Sequence, residues 1–175
     1  MSTDSLKDVR TYVCWAYTGH VQIPLHNSRP KLPLEEHAKE AERVYIELAH
    51  AFVFGERVVD TSYANAIILH IIAALKASDW GPGPEFATIL YDGTLPGNPA
   101  RRLFTDMVFN MAHNDSSDSF GWMATMLPGY PKEALVDVTK AFVQKRGINF
   151  VSAKPWVSSL SGYLIEEEAR AQRSE

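Results

Sequence analysis

The sequence predicts a mainly α, helical bundle-like fold with at most a short edge strand near residues 21–25. Three observations lead there. Apolar residues recur at three- and four-residue spacing through several long stretches. Capping residues and glycines bracket those stretches where helices should begin and end. The chain has 175 residues, 46% of them apolar, which is enough to bury a sizeable core.

The elements follow in order. Ser5 to Tyr17 places Leu6, Val9, Val13 and Ala16 on one side of a helix, with Ser5 and Asp8 spaced as a capping box and Gly19 suited to close the end. Val21, Ile23 and Leu25 then alternate with period two, so residues 20–25 read as a short strand. Pro24 within it cannot donate a ladder hydrogen bond, which assigns that strand to a sheet edge. Arg29 to Pro33 is a stiff connector.

The next helix, Glu35 to Phe54, carries an apolar stripe of Ala38, Ala41, Tyr45, Leu48, Ala49 and Phe52, with Glu36, Glu40, Arg43, Glu47 and His50 opposite. Gly55 is expected to end or bend it. Asp60-Thr61-Ser62 offers N-caps for a helix to about Lys76 whose apolar residues cover nearly its whole circumference, the mark of a central helix. A break at Trp80–Pro84 precedes a short helix, Glu85 to Tyr91. Asn98 and Pro99 then start a helix whose stripe contains Leu103, Phe104, Met107, Val108 and Met111. The last strong helix spans Lys132 to Arg146, with Ala134, Leu135, Val138, Ala141 and Phe142 inward and Gly147 as its terminator. Residues 1–150 are expected to form one helical domain, and 151–175 a short tail with room for one helix.

Charge and composition remove several function classes. The net charge is −4, from 17 basic and 21 acidic residues, which argues against nucleic acid and anionic membranes as partners. A single cysteine, Cys14, excludes an intrachain disulfide and suggests a reducing compartment. Met1 to Ser5 shows no cationic segment followed by an apolar one, so no signal peptide is expected, and Ala66–Leu75 is too short to span a membrane. The expected location is the cytoplasm or nucleus.

The reactive residues form no catalytic pattern. His20, His26, His37, His50, His70 and His113 include no i,i+4 helical pair and no HExxH, so no metal site is expected. His70 reads as a hydrogen-bonded core histidine. Cys14 sits in an amphipathic helix with no catalytic signature and is better read as packing. Gly81 and Gly83 are each followed by proline, which removes the N–H groups a phosphate cradle needs. The run Asn114–Ser119 lacks the glycine and glutamate of a calcium loop. Arg101-Arg102 and Lys145-Arg146 read as solvated faces or as salt bridges worth under about 1 kcal/mol each, and Met107, Met111, Met123 and Met126 as core filling, with an adaptable binding surface as the less common use.

Two segments carry a family pattern. The run Tyr12-Val13-Cys14-Trp15-Ala16-Tyr17-Thr18-Gly19-His20-Val21 resembles the helix and following strand of BTB/POZ domains. Leu48 to Asp60, with Tyr63, Asn65, Ala66 and Ile67, is similar to the next helical pair in fungal members. Ile89 to Thr94 and Pro99 to Leu103 resemble the helical extension after that domain. The likeness spans roughly Leu6 to Phe142 and covers the C-terminal half of the domain plus its extension; the N-terminal half has no counterpart.

The resemblance implies a partial BTB/POZ fold and a non-catalytic adaptor that works by protein–protein interaction. Many such proteins deliver substrates to cullin-type ubiquitin ligases, so the implied partner is a protein: a ubiquitin-ligase component or a second copy of the chain. No cofactor is expected. Trp15, Tyr17, Tyr45 and Phe54 are the expected partner-binding residues, since aromatic side chains dominate interfaces as well as cores. The alternative is a small-molecule-binding protein or enzyme derived from a BTB remnant, with His70, His50 or Cys14 lining a pocket between helices.

Overall fold

The computed structural model describes residues 5–26, 33–111, 126–144 and 155–165. Among these residues every regular element is helical, in keeping with the mainly α class. The chain divides into two compact units. The first comprises Met1–Trp80 with Leu164–Glu175, the second Gly81–Tyr163.

Three helices build the first unit. Helix α1 (Leu6–Thr18) begins with the capping box: the Asp8 N–H donates to Ser5 Oγ at 3.2 Å, and the Ser5 N–H donates back to the Asp8 carboxylate at 3.3 Å. It ends at Gly19, where φ is +70°. Helix α2 (Leu34–Arg57) does not stop at Gly55, as the sequence suggested. The glycine serves packing instead. A Cβ there would lie 3.0 Å from Tyr63 Cδ1 and 3.5 Å from Ala64 Cα, so its absence lets α2 approach the following helix closely.

A three-residue turn, Val58 to Asp60, leads into α3 (Thr61–Ser78), capped by Asp60 Oδ1 on the Tyr63 N–H at 2.9 Å. Val59 in that turn has φ +60°. A β-branched residue in the left-handed region costs about 1–3 kcal/mol. The α2–α3 hairpin holds the core, where Tyr45, Leu48, Phe52, Tyr63, Ile67, Ile68 and Ile71 are all buried. Asn65 clamps the backbone of Ile165, donating to its carbonyl at 3.1 Å and accepting its N–H at 2.6 Å.

The strand expected at residues 20–25 does not form. Residues Val21 to His26 carry no regular structure and run as a strap against the hairpin. The Ile23 side chain is buried, and its carbonyl accepts a hydrogen bond from His70 Nε2 at 2.7 Å. One side chain thus supplies what a neighbouring strand would have supplied, and Pro24 has no N–H to satisfy.

The second unit contains α4 (Pro84–Gly93), α5 (Pro99–Met111), a 3₁₀ turn at Leu127–Gly129, α6 (Lys132–Gln144) and two short turns, Pro155–Ser158 and Leu160–Tyr163. Asn98 caps α5 by accepting the Ala100 N–H at 2.9 Å, with Pro99 in the first turn as expected. Phe104 gathers the rings of Phe86, Tyr91 and Tyr130, with centroids 5.5–6.1 Å away. Trp156 and Tyr163, from the region read as a tail, are buried, and the Tyr163 hydroxyl donates to Asp106. Phe142 departs from expectation: it is 37% exposed and rests against Phe109.

Arg101 forms the salt bridge that was one of its two readings, but as a buried residue rather than on a solvated face. It is 4% exposed, and its guanidinium donates to Thr94 Oγ1 at 2.8 Å, Glu133 Oε2 at 2.9 Å and the carbonyls of Tyr91 and Thr94. Those carbonyls lie at the end of α4, where helical acceptors lack partners. The planar fork of arginine can satisfy several at once, which explains how the charge is buried. The pair Lys145-Arg146, the run 114–119 and Met123 lie outside the described residues.

Candidate functional site

Helix α1 differs from the others in having no buried residue. Its inner face carries Tyr12 and Trp15, both half-buried. The Tyr12 ring meets Phe54 at 5.5 Å and Tyr63 at 5.0 Å between centroids, and Trp15 meets Tyr63 at 5.1 Å. The Tyr12 hydroxyl donates to Asp60 Oδ2 at 3.0 Å, and that hydrogen bond to a carboxylate, with desolvation, raises the phenol above its ordinary range. Lys7 adds an ion pair to Glu47 at 2.6 Å. Among the described residues, these contacts fasten one side of the helix.

The other side is apolar and uncovered. Leu6 is 91% exposed, Val9 40%, Val13 44% and Tyr17 88%, with exposed Ala16 completing the stripe. The spacing 6, 9, 13, 16 is three, four, three, which forms a two-heptad seam along one face. Arg10 borders the seam, exposed and without an ion-pair partner among the described residues. A short helix with apolar residues on both sides and a neighbour on one offers a surface to something else.

The four expected contact residues separate accordingly. Tyr17 lies on the open stripe. Trp15 is half-buried on the inner face. Tyr45 and Phe54 are buried at 0% and 6% exposure, so neither reaches a surface of the unit. The Tyr45 hydroxyl donates to the Trp80 carbonyl at 2.7 Å, and burial drives its ionisation far above the usual range. For Tyr45 the periodicity that put it on the apolar stripe was the signal for core; Phe54 lay off that stripe and carried no such signal.

No family model, curated protein or solved structure matches the chain.

The residues that would serve a small-molecule pocket are not brought together. His50 lines a cleft of about 360 Å³ between the start of α1, the middle of α2 and Ile23 of the strap. His70 is instead engaged with Ile23, and Cys14 is half-buried on α1. Two cations of the cleft wall are already ion-paired: Lys7 with Glu47, also on the wall, and Arg43 with Glu40 outside it at 2.9 Å. In the second unit a cleft of about 320 Å³ includes Asp106 and Asp137, which accept from the hydroxyls of Tyr163 and Tyr91. Among the described residues no group of three or more His, Cys, Asp or Glu side chains could hold a metal, and no helix is long and apolar enough to cross a membrane.

Proposed function

We propose that the chain is a non-catalytic protein-interaction module of BTB/POZ-like type, acting in the cytoplasm or nucleus, whose docking surface is the outer face of α1. The observation that carries this reading is the uncovered seam of Leu6, Val9, Val13, Ala16 and Tyr17. Its heptad spacing and length suit an antiparallel or parallel helix of a partner protein. The partner's helix should carry a carboxylate beside its apolar seam, where it would meet Arg10. A second copy suits the surface less well, because a two-fold antiparallel pairing of α1 with itself brings both Arg10 side chains to one edge. A ubiquitin-ligase component with such a helix fits the family resemblance of the Tyr12–Val21 segment.

The test is a photo-crosslinking amino acid placed at Val13 in the full chain, expressed in cells of the source organism, with the same probe at exposed Lys76 as control. The reading requires a discrete protein adduct at position 13 that disappears when Leu6 and Tyr17 are also changed to serine. The same adducts at both positions, or an adduct indifferent to those serines, would refute it. An adduct at twice the mass of the chain would replace the partner with a second copy.

A further inference from the structure

We propose that His26 and His37 form a proton-operated latch, holding the strap Val21–His26 on the α2–α3 hairpin at neutral pH and releasing it in acid. The hydrogen-bond chain dictates where the protons sit. His37 is buried at 9% exposure, and its Nε2 lies 3.1 Å from the Ser78 carbonyl oxygen. A carbonyl only accepts, so His37 carries its proton on Nε2 and presents a bare Nδ1. That Nδ1 lies 2.7 Å from His26 Nε2, which must therefore be the donor. The strap ends at this bond, and its other fastening is the His70–Ile23 carbonyl bond at 2.7 Å.

The two fastenings respond differently to acid. His70 donates to a carbonyl, and an imidazolium donates as well as an imidazole does. The histidine pair can take one proton on the outer Nδ1 of His26 and keep its bond, because Nε2–H still faces a lone pair. A second proton must go to His37 Nδ1. Two N–H groups would then point at each other across 2.7 Å, each on a cation, and the rings must part.

The surrounding charges do not relieve this. From α2, Glu40 favours a charged His26 and Arg43 opposes it, and those two residues are ion-paired with each other. The α3 terminus that supplies Ser78 adds exposed Lys76 and Asp79, and the edge of the Trp80 ring covers His37 at 5.9 Å between centroids. Burial, followed by the charge of His37, holds His26 below the ordinary histidine range. With only the His70 fastening left, the strap opens more often, and each opening takes Ile23 from the wall of the α1–α2 cleft.

Amide hydrogen exchange on the full chain tests the latch, with rates corrected for intrinsic pH dependence and α3 amides as the internal reference. Between about pH 7.5 and about pH 4.5, protection at Ile23, the buried residue of the strap, should fall roughly tenfold more than protection in α3. His26→Gln, whose amide nitrogen donates to neutral His37 and whose amide oxygen, after a flip, accepts from protonated His37, should lose that extra pH dependence. His26→Ala should lose it too, with the strap already open at neutral pH. Strap protection that tracks α3 in the unaltered chain, or extra pH dependence that survives in both variants, would overturn the proposal.

Discussion

Helices α1 and α3 are both rich in apolar residues, yet α3 buries ten of its 18 residues and α1 buries none of its 13. Charge separates them in part, since α1 carries Lys7, Asp8 and Arg10 where α3 carries Lys76. Neighbours do the rest. α3 lies against α2 along one side and receives the Tyr12 and Trp15 rings of α1 on another, so most of its circumference finds a partner. α1 spends two of its three aromatic rings, Tyr12 and Trp15, on that contact and leaves its aliphatic seam in water. A seam of Leu, Val and Ala side chains gains nothing from exposure, and that is the observation behind the proposed binding role.

The contrast can be broken by mutation, beginning with the largest effect. Ile68→Ala, in the buried centre of α3, should cost about 3–4 kcal/mol in urea unfolding, from lost transfer free energy and an unfilled cavity. Trp15→Ala removes a half-buried ring from the inner face of α1 and should cost about 2 kcal/mol, with little change in the unfolding slope. A cost near zero would mean that α1 is not docked at all.

Smaller effects sharpen the boundary between the helices. Val59→Gly relieves a left-handed β-branched residue and should raise stability by about 1 kcal/mol by the same measurement. Tyr63 lies under α1 with a buried hydroxyl that has no hydrogen-bond partner among the described residues. Tyr63→Phe should therefore be neutral or stabilising by up to about 1 kcal/mol, the reverse of what a bonded buried tyrosine would show. Stability should also decline gently as pH falls below about 6.5, because the unfolded chain protonates His26 more readily than the native one does. That contribution is complete above the unfolded value and lost toward the lower native value.

Local rules were legible in the sequence where they depend on neighbours in sequence. The Ser5–Asp8 box, the caps Asp60 and Asn98, and the apolar circumference of α3 all formed as their spacing dictates. What could not be read were the long-range pairings. Gly55 looked like a terminator because only the folded hairpin reveals Tyr63 against it. Arg101 looked solvated because its acceptors, the carbonyls of Tyr91 and Thr94, belong to another helix end. Alternation at Val21, Ile23 and Leu25 looked like a strand because nothing local announces His70 as the acceptor's partner. His26 and His37 stand eleven residues apart across a proline-rich connector, a spacing with no motif attached. The outer seam of α1 was visible as a stripe, but its exposure was not.

The most direct measurement is equilibrium unfolding of a chain carrying Leu6→Ser, Val9→Ser, Val13→Ser and Tyr17→Ser together, at low protein concentration. If the seam is a docking surface spare to the fold, each change costs no more than about 0.5 kcal/mol and the unfolding transition stays near that of the unaltered chain. A loss of several kcal/mol beyond that, approaching the effect of Ile68→Ala, would mean these side chains are covered in the native protein and would contradict the assignment.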